Sequence, residues 1–339
     1  MKIGICFDTA EDYGLTYRHK DYTDFADYIT VTEIKSALTF FGFDVILIGN
    51  HQKLNKLILE KKNECDLIFN IAEGFNSRNR EALIPALLEI NNIKHTASDA
   101  YAMSLSLNKY HTKLIAKSLS INTPKDYLIK YNDFNKHFLE KINLNFPIIL
   151  KPNAEGGSMG VLLSRDGKEL GKQVKYLLKK YRQNILCEEY ISGFEVTVPV
   201  IGNGKKAKCL GISTILSKSK GSDFGFYDNS RKLEEDYFGD TYCTANNNFS
   251  SQIKQNLTDF SLKIHRELEL FDYSRSDFRV TNNGEVFFLE VNPMPALCRN
   301  DAFEICANKK GLKYEDVIFK IVQSALTRYD IHYNLKVNL

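Results

Sequence analysis

Two short stretches near the C-terminal end carry charged and amide groups at a spacing of two: Arg275 and Asp277 in SRSDFRV, Glu290 and Asn292 in FFLEVNPMP. Residues two apart share a face of a β-strand. Alternation therefore groups Phe288, Glu290 and Asn292, with Phe287, Leu289 and Val291 opposite. A carboxylate in so apolar a run loses water and must be paired, neutralised or bound to a cation. The intervening TNNG is a hairpin signal, and a hairpin there brings Asp277 within cross-strand reach of Glu290 and Asn292. Two carboxylates and an amide oxygen are hard ligands, of the kind Mg²⁺ accepts alongside polyphosphate oxygens. The alternative is that Arg275 neutralises the cluster as a structural ion pair. Asn292, which adds an oxygen without a charge, favours the metal.

Two further stretches point to phosphate and nucleotide. Lys151 ends the apolar run FPIILKP and is followed by the glycine-rich NAEGGSMG. A lysine at a strand end beside such a turn can set its ammonium and several backbone N–H groups around phosphates, although a hairpin turn needs glycines for geometry alone. In CEEYISGFE, Glu188 and Glu189 stand where an apolar strand meets a linker, and Glu195 opens the next strand. A linker backbone can meet a purine edge while a carboxylate accepts ribose hydroxyls; paired glutamates on a solvated surface are the plainer alternative.

The elements that must position these groups follow from the apolar patterning. KIGICF, FDVILIG and CDLIFNI are short β-rich runs separated by helical patterns, which predicts βαβ units and a parallel sheet in the first hundred residues. The turn after the first run, DTAEDYG, lacks G-x-G-x-x-G. Segment 9–27, rich in Asp and Tyr, reads as a solvated insertion or a loop over a site. A helix over 99–119, broken near Asn108, is stopped by NTP. Strand FPIILKP, strand VLLS and a helix over 166–182 follow, and the remainder is strand-rich, with helices over 251–270 and 313–328. Segment 217–240 reads as a mobile loop from its Gly, Ser, Asp and Lys content.

A chain of 339 residues implies more than one packed unit. A net charge of +3 over that length argues against a nucleic-acid surface. No run approaches the roughly 20 apolar residues of a membrane helix, and MKIGICFD reads as a strand rather than a leader. The expectation is a cytoplasmic protein. Seven scattered cysteines without a C-x-x-C pair predict reduced thiols.

In order and spacing, ILKPNAEGGSMG, CEEYISGFE, RSD and LEVNPMPAL resemble the ATP-grasp ligases, specifically the D-alanine–D-alanine ligase family. NNIKHTASDAYAMSLSLNKYHTK resembles the family's helix leading to a nucleotide-contacting lysine, Lys109. The likeness runs from about residue 66 onward. It implies an α/β and α+β chain, an ATP-grasp fold behind a Rossmann-like parallel-sheet domain. The implied boundaries are an N-terminal substrate domain over 1–98, a central subdomain over 99–190 and a C-terminal subdomain over 191–339. Lys109, Lys151 and the turn residues Glu155, Gly157 and Ser158 would contact the nucleotide. The 188–191 backbone (Glu188, Glu189, Tyr190, Ile191) would meet the adenine, and Glu195 the ribose. Asp277, Glu290 and Asn292 would hold two Mg²⁺, or Mn²⁺ in their place. Arg275 would offset the oxyanion, with Lys232 and Ser158 completing the catalytic set. The implied reaction is ADP-forming: a carboxylate becomes an acyl phosphate and an amine then attacks it. The implied partners are a small carboxylate and an amine, and a second copy of the chain as a homodimer.

The departures from the family pattern concern the amino-acid substrates. The loop EGFNSRNREA puts Glu73 in place of a family histidine, with Arg80 and Glu81 nearby. Gly157 replaces the first of two serines, and Leu233 follows Lys232 where the family has tyrosine. After Ala296, CRNDAF sets Asp301 near an expected carboxylate-binding serine, with Arg299 as a substitute cation. These differences lead to the expectation of an amino-acid or dipeptide-type ligase whose substrates are not two D-alanines. An authentic D-alanine–D-alanine (or D-alanine–D-lactate) ligase and a catalytically silent nucleotide-binding module are the alternatives.

Overall fold

The computed structural model describes residues 1–15, 25, 27–132, 134, 138–217 and 241–333. Lys232, Leu233 and nearly all of the 217–240 segment lie outside the described residues, as does most of 16–26.

The chain opens with β1 (Lys2–Cys6), α1 (Tyr28–Phe40), β2 (Asp44–Gly49), α2 (His51–Leu59), β3 (Leu67–Asn70) and α3 (Leu83–Ile90). The strands form a parallel sheet in the order β2-β1-β3. β3 is buried throughout, as expected of a parallel strand covered on both faces. Helix α1 starts where the Asp27 carboxylate accepts from the Ile29 N–H.

Next come α4 (Ala100–Leu107) and α5 (Lys109–Ser118). Asn108 separates them: its extended backbone ends α4, and its side chain accepts from the His111 N–H to start α5. A four-stranded antiparallel sheet follows, ordered β4-β7-β5-β6, from β4 (Asp126–Ile129), β5 (Ile148–Pro152), β6 (Leu162–Ser164) and β7 (Ile185–Glu189). Helix α6 (Gly167–Tyr181) covers it with Leu170, Val174, Leu177 and Leu178, a stripe at helical spacing.

The third sheet is built from β8 (Phe194–Ile201), β9 (Lys208–Cys209), β10 (Ser213–Ser217), β11 (Thr241–Thr244), β12 (Tyr273–Val280) and β13 (Val286–Asn292). Its main order is β11-β10-β8-β12-β13, with β9 on β8. Helix α7 (Ser251–Glu267) packs behind it, burying Leu257 and Ile264 against Phe278 and Phe288.

Two helices close the described chain, α8 (Ala302–Asn308) and α9 (Tyr314–Arg328). α9 packs on α1, and Ile318, Ile321 and Val322 share one core with Ile3, Ile5, Val31, Ile34 and Phe69 of the N-terminal sheet. The N-terminal sheet is thus completed by the far end of the chain. Strand β4 and helix α8 go beyond the elements expected from the sequence.

Candidate active site

Hairpin β12–β13 forms at the predicted turn, with the Thr281 N–H donating to the Glu285 carbonyl and Gly284 in a left-handed conformation. Its register sets Asp277 opposite Glu290 and Arg275 opposite Asn292. One expectation fails. The register slips between Asp277 and Phe278, so that Phe278 pairs with Phe288 and Leu289 has no counterpart. This extra residue is a β-bulge, and it inverts alternation along the rest of the strand. Phe288 and Val291 both join the core, so Phe288 does not share a face with Glu290 and Asn292. The bulge lets β13 fill the core with Val286 and Phe288 and still turn Glu290 toward the cleft.

The cleft has a volume of ≈ 480 Å³. Arg275, Asp277, Glu290 and Asn292 line it together with Lys109, Glu195 and the turn residues Glu155, Gly157 and Ser158. Glu290 Oε2 lies 2.9 Å from Lys109 Nζ. Burial alone would raise the Glu290 pKa, but Lys109 and Lys151 outweigh it and hold the carboxylate at about 2. Asp277 is pulled the other way by burial, against the bidentate grip of Arg275, whose Nε and Nη2 donate to it at 3.1 Å each. The structural ion pair posed as an alternative therefore exists, but it engages Asp277 and leaves Glu290 to the lysines. Asn292 Oδ1 accepts from the Met294 N–H at 3.0 Å, which fixes the amide orientation.

The base of the cleft is docked through the glycine-rich turn. Asn153 accepts from the first two N–H groups of α5: its carbonyl from Lys109 at 3.0 Å, its Oδ1 from Tyr110 at 2.9 Å. These are orphan donors of a helix N-terminus, and satisfying them brings Lys109 close to β5. Gly157 and Ser158 both have left-handed backbone. At Gly160 a Cβ would lie 2.7 Å from the Pro152 and Tyr181 side chains, which requires glycine there.

Lys151 Nζ lies 2.5 Å from Glu188 Oε2, and the fully buried Lys113 pairs with Glu188 Oε1. Burial would lower the Lys151 pKa, but Glu188 and Glu290 raise it, so it stays charged. Glu189 points elsewhere, its Oε1 accepting from the Asn145 N–H at 2.8 Å. Tyr190 donates its N–H to Pro147 O and lies under the Arg279 guanidinium, 5.9 Å from its ring centroid; Ile191 is half-buried in the following linker. Glu195 is held by Arg279 at 3.1 Å. Among Lys109, Lys113, Lys151, Glu188 and Glu290, three ammonium groups face two carboxylates, a positive excess suited to an anion.

The residues expected to meet the amino-acid substrates divide. Glu81, Ala296, Arg299 and Asp301 line the cleft. Glu73 lines a neighbouring cavity of ≈ 390 Å³ that shares Ala296 and Arg299 with it. Arg80 is buried, donates to the Ala154 carbonyl at 2.9 Å, and lies 3.6 Å from Glu81 and 3.5 Å from Glu155, so it ties the N-terminal region to the glycine-rich turn. Arg299 is occupied by Glu33, Glu304 and Glu315, at 3.3, 3.1 and 2.6 Å, and stacks on Tyr314. Asp301 caps α8, accepting from the Ala302 N–H, and lies 3.4 Å from Cys243 Sγ.

Sequence reasoning missed Lys113, Arg279 and Asp8. Lys113 lies four residues after Lys109, on the neighbouring turn of one helix, and Arg279 follows Asp277 by two on one strand face; both spacings were readable. Asp8, buried after β1, accepts from the Glu73 and Gly74 N–H groups at 3.0 and 2.7 Å and so fixes the loop that carries Glu73. No local pattern marks it.

Comparison with known proteins agrees with this geometry. The family model described as "D-ala D-ala ligase C-terminus" matches residues 115–323. The D-alanine–D-alanine ligase of Aquifex aeolicus is 31% identical over 85% of this chain and 92% of its own length. That of Carboxydothermus hydrogenoformans is 29% identical over 96% and 98%. The crystal structure of the Bacillus anthracis D-alanine–D-alanine ligase complexed with ATP superposes with a TM-score of 0.75, covering 97% of this chain and 98% of that one at 20% identity. The fold is accordingly the ATP-grasp fold behind an N-terminal parallel sheet, and the chain belongs to the D-alanine–D-alanine ligase family of ATP-dependent, amide-forming ligases.

Proposed function

We propose that the protein joins two D-amino acids, with D-alanine the first candidate for both, in an ADP-forming reaction. The observation that carries the reading is the single cleft in which Lys109, Arg275, Asp277, Glu290 and Asn292 meet, in a chain aligned to 92% of a D-alanine–D-alanine ligase. The relatives support this alternative over the expectation of other substrates. The departures at Glu73, Gly157 and Asp301 bear on how the substrates are held. Arg299, engaged by three glutamates, does not serve as the substitute carboxylate ligand in this arrangement.

The roles we assign are those the family resemblance implies, and the shared lining of the cleft supports them. Lys109 and Lys151 meet phosphate oxygens, Glu195 the ribose and the 188–191 linker the base. Glu290, held ionised, with Asp277 across the hairpin and Asn292, forms a donor set of hard oxygens that fits Mg²⁺. Mg²⁺ bound there supplies charge neutralisation for the transferring phosphoryl group. The first substrate's carboxylate takes the γ-phosphoryl group and ADP leaves. The amine of the second attacks the acyl phosphate, Arg275 offsets the oxyanion, and phosphate departs. Arg275 is held in place by Asp277 on the same strand, so its guanidinium is oriented before substrate arrives.

The test is phosphate release from ATP and Mg²⁺ with D-alanine as sole amino acid, the product identified by mass. D-alanyl-D-alanine supports the reading. Release only with a different pair, across a panel of D- and L-amino acids, replaces D-alanine with that pair; ATP binding without release for any pair overturns the enzyme assignment for this cleft.

A further inference from the structure

Lys113 is fully buried on the core side of α5, without access to the cleft, and its ammonium has two partners: Glu188 Oε1 and, at 3.3 Å, the Phe288 carbonyl on β13. The other oxygen of Glu188, itself 2% exposed, binds Lys151. One buried carboxylate thus bridges two lysines, only one of which ends a strand beside the glycine-rich turn. We infer that Lys113 is a positioning residue of the nucleotide site: it keeps Glu188 charged and paired, so that Lys151 can turn from Glu188 to a phosphate.

The physical reason is the cost of stranding a buried charge. Without Lys113, Lys151 would be the sole counter-ion of Glu188, and drawing it to phosphate would leave a carboxylate unpaired in the interior. With Lys113 present, Glu188 retains an ammonium partner as Lys151 shifts. The Phe288 carbonyl fixes the far side of Lys113, so the pair does not follow Lys151. A lysine serving only to fill space would be replaced by methionine with no effect on the nucleotide.

This inference rests on the proposed nucleotide role of Lys151, and the experiment separates the two. The dissociation constant for ATP with Mg²⁺ is measured by calorimetry for the full-length wild type, Lys113→Met, Lys151→Met, Glu188→Gln and Lys113→Met/Glu188→Gln. Lys113→Met should weaken ATP by ~10-fold or more, with kcat at saturating ATP within about 3-fold of wild type. In the Glu188→Gln background the same substitution should cost less than about 2-fold, because no charge remains to be held. Equal weakening in both backgrounds, or none in the wild-type background, overturns the role of Lys113. An unchanged constant for Lys151→Met would instead overturn the nucleotide reading itself.

If Lys113→Met does not fold, the wild type still provides the test. The groups facing Lys113 are Glu188 on β7, Lys151 on β5 and Asp126 on β4, the last paired with Lys117. Burial pulls the Lys113 pKa down to about 8 against the pull of Glu188, while Lys151 stays charged above that range. ATP affinity should therefore fall as pH rises through about 8, and a flat profile from pH 7 to 9.5 overturns the inference.

Discussion

Glu290 shows how a single side chain settles between two roles. Opposite it on the hairpin is Asp277, a like charge, yet its pKa is pushed down to about 2, because Lys109 sits 2.9 Å away with Lys151 behind. It is therefore ionised at neutral pH, as the proposed role of metal ligand requires. Arg275 has a different task, since it is already matched by Asp277. Glu290→Gln should cut turnover by roughly 100-fold or more and raise the Mg²⁺ concentration needed for half-maximal rate. Arg275→Ala should cut kcat by roughly 100- to 1,000-fold and leave ATP affinity little changed. Steady-state kinetics with Mg²⁺ titration check both, and a Glu290→Gln enzyme with ordinary metal dependence would remove it from the metal set. These residues were legible because their spacing on strands encodes a shared face. Lys113 and Arg279 were not read, although each follows a noted residue at a same-face spacing, because a charged residue at a core-facing position is ordinarily assigned to solvent.

At the level of elements, the hairpin register was readable from Asn-Asn-Gly and two runs of alternating residues, but the bulge at Leu289 was not. A bulge is chosen by what both faces must do: Phe288 and Val291 fill the core behind the sheet, while Glu290 reaches the cleft. Alternation alone cannot satisfy both demands, and no single residue type announces the compromise. The break at Asn108 was readable, but its purpose appears only in three dimensions, where Asn153 accepts from the first N–H groups of α5 and holds Lys109 beside β5. Asn153→Ala should lower stability by about 1 kcal/mol, as loss of a helix cap does, and should also weaken ATP binding several-fold, because the Tyr110 N–H and Asn108 lose their side-chain partner and the α5 start that carries Lys109 is held by the Asn153 carbonyl alone. Ser250→Ala removes the equivalent cap from α7, behind the sheet; it should cost similar stability with unchanged ATP binding. Equal ATP affinities for both variants would separate the α5 anchor from nucleotide binding.

For the whole molecule, the decisive contact is the one that folds the C-terminus back onto the N-terminal sheet. Arg328, on the last turn of α9, donates to the His95 and Ala97 carbonyls at 2.7 and 3.2 Å and to Asp272 Oδ2 at 2.9 Å, joining the N-terminal sheet to β12. Apolar patterning identified both ends of this joint but not their union, since contacts between residues more than two hundred apart leave no local period. The joint is also where buried histidines gather. His265 Nε2 donates to the Gly202 carbonyl at 3.0 Å, and its Nδ1 shares a hydrogen bond with the Ser274 hydroxyl at 2.7 Å. Burial pushes His95 and His265 down to about 4 and pushes Asp272, despite Arg328, up to about 6. A histidine with a lowered folded-state pKa contributes stability that is complete above about 6.5 and lost as pH falls toward 4. Asp272 has the opposite sign, its contribution being greatest below its ordinary pKa and lost as pH rises through about 6. Two histidines outweigh one aspartate, so these groups should remove on the order of 3 kcal/mol between pH 7 and pH 4. Urea denaturation at the two pH values measures the loss. In a His95→Asn/His265→Gln variant the slope should flatten or reverse, because only the aspartate remains. A variant as acid-sensitive as wild type would place the sensitivity outside this joint.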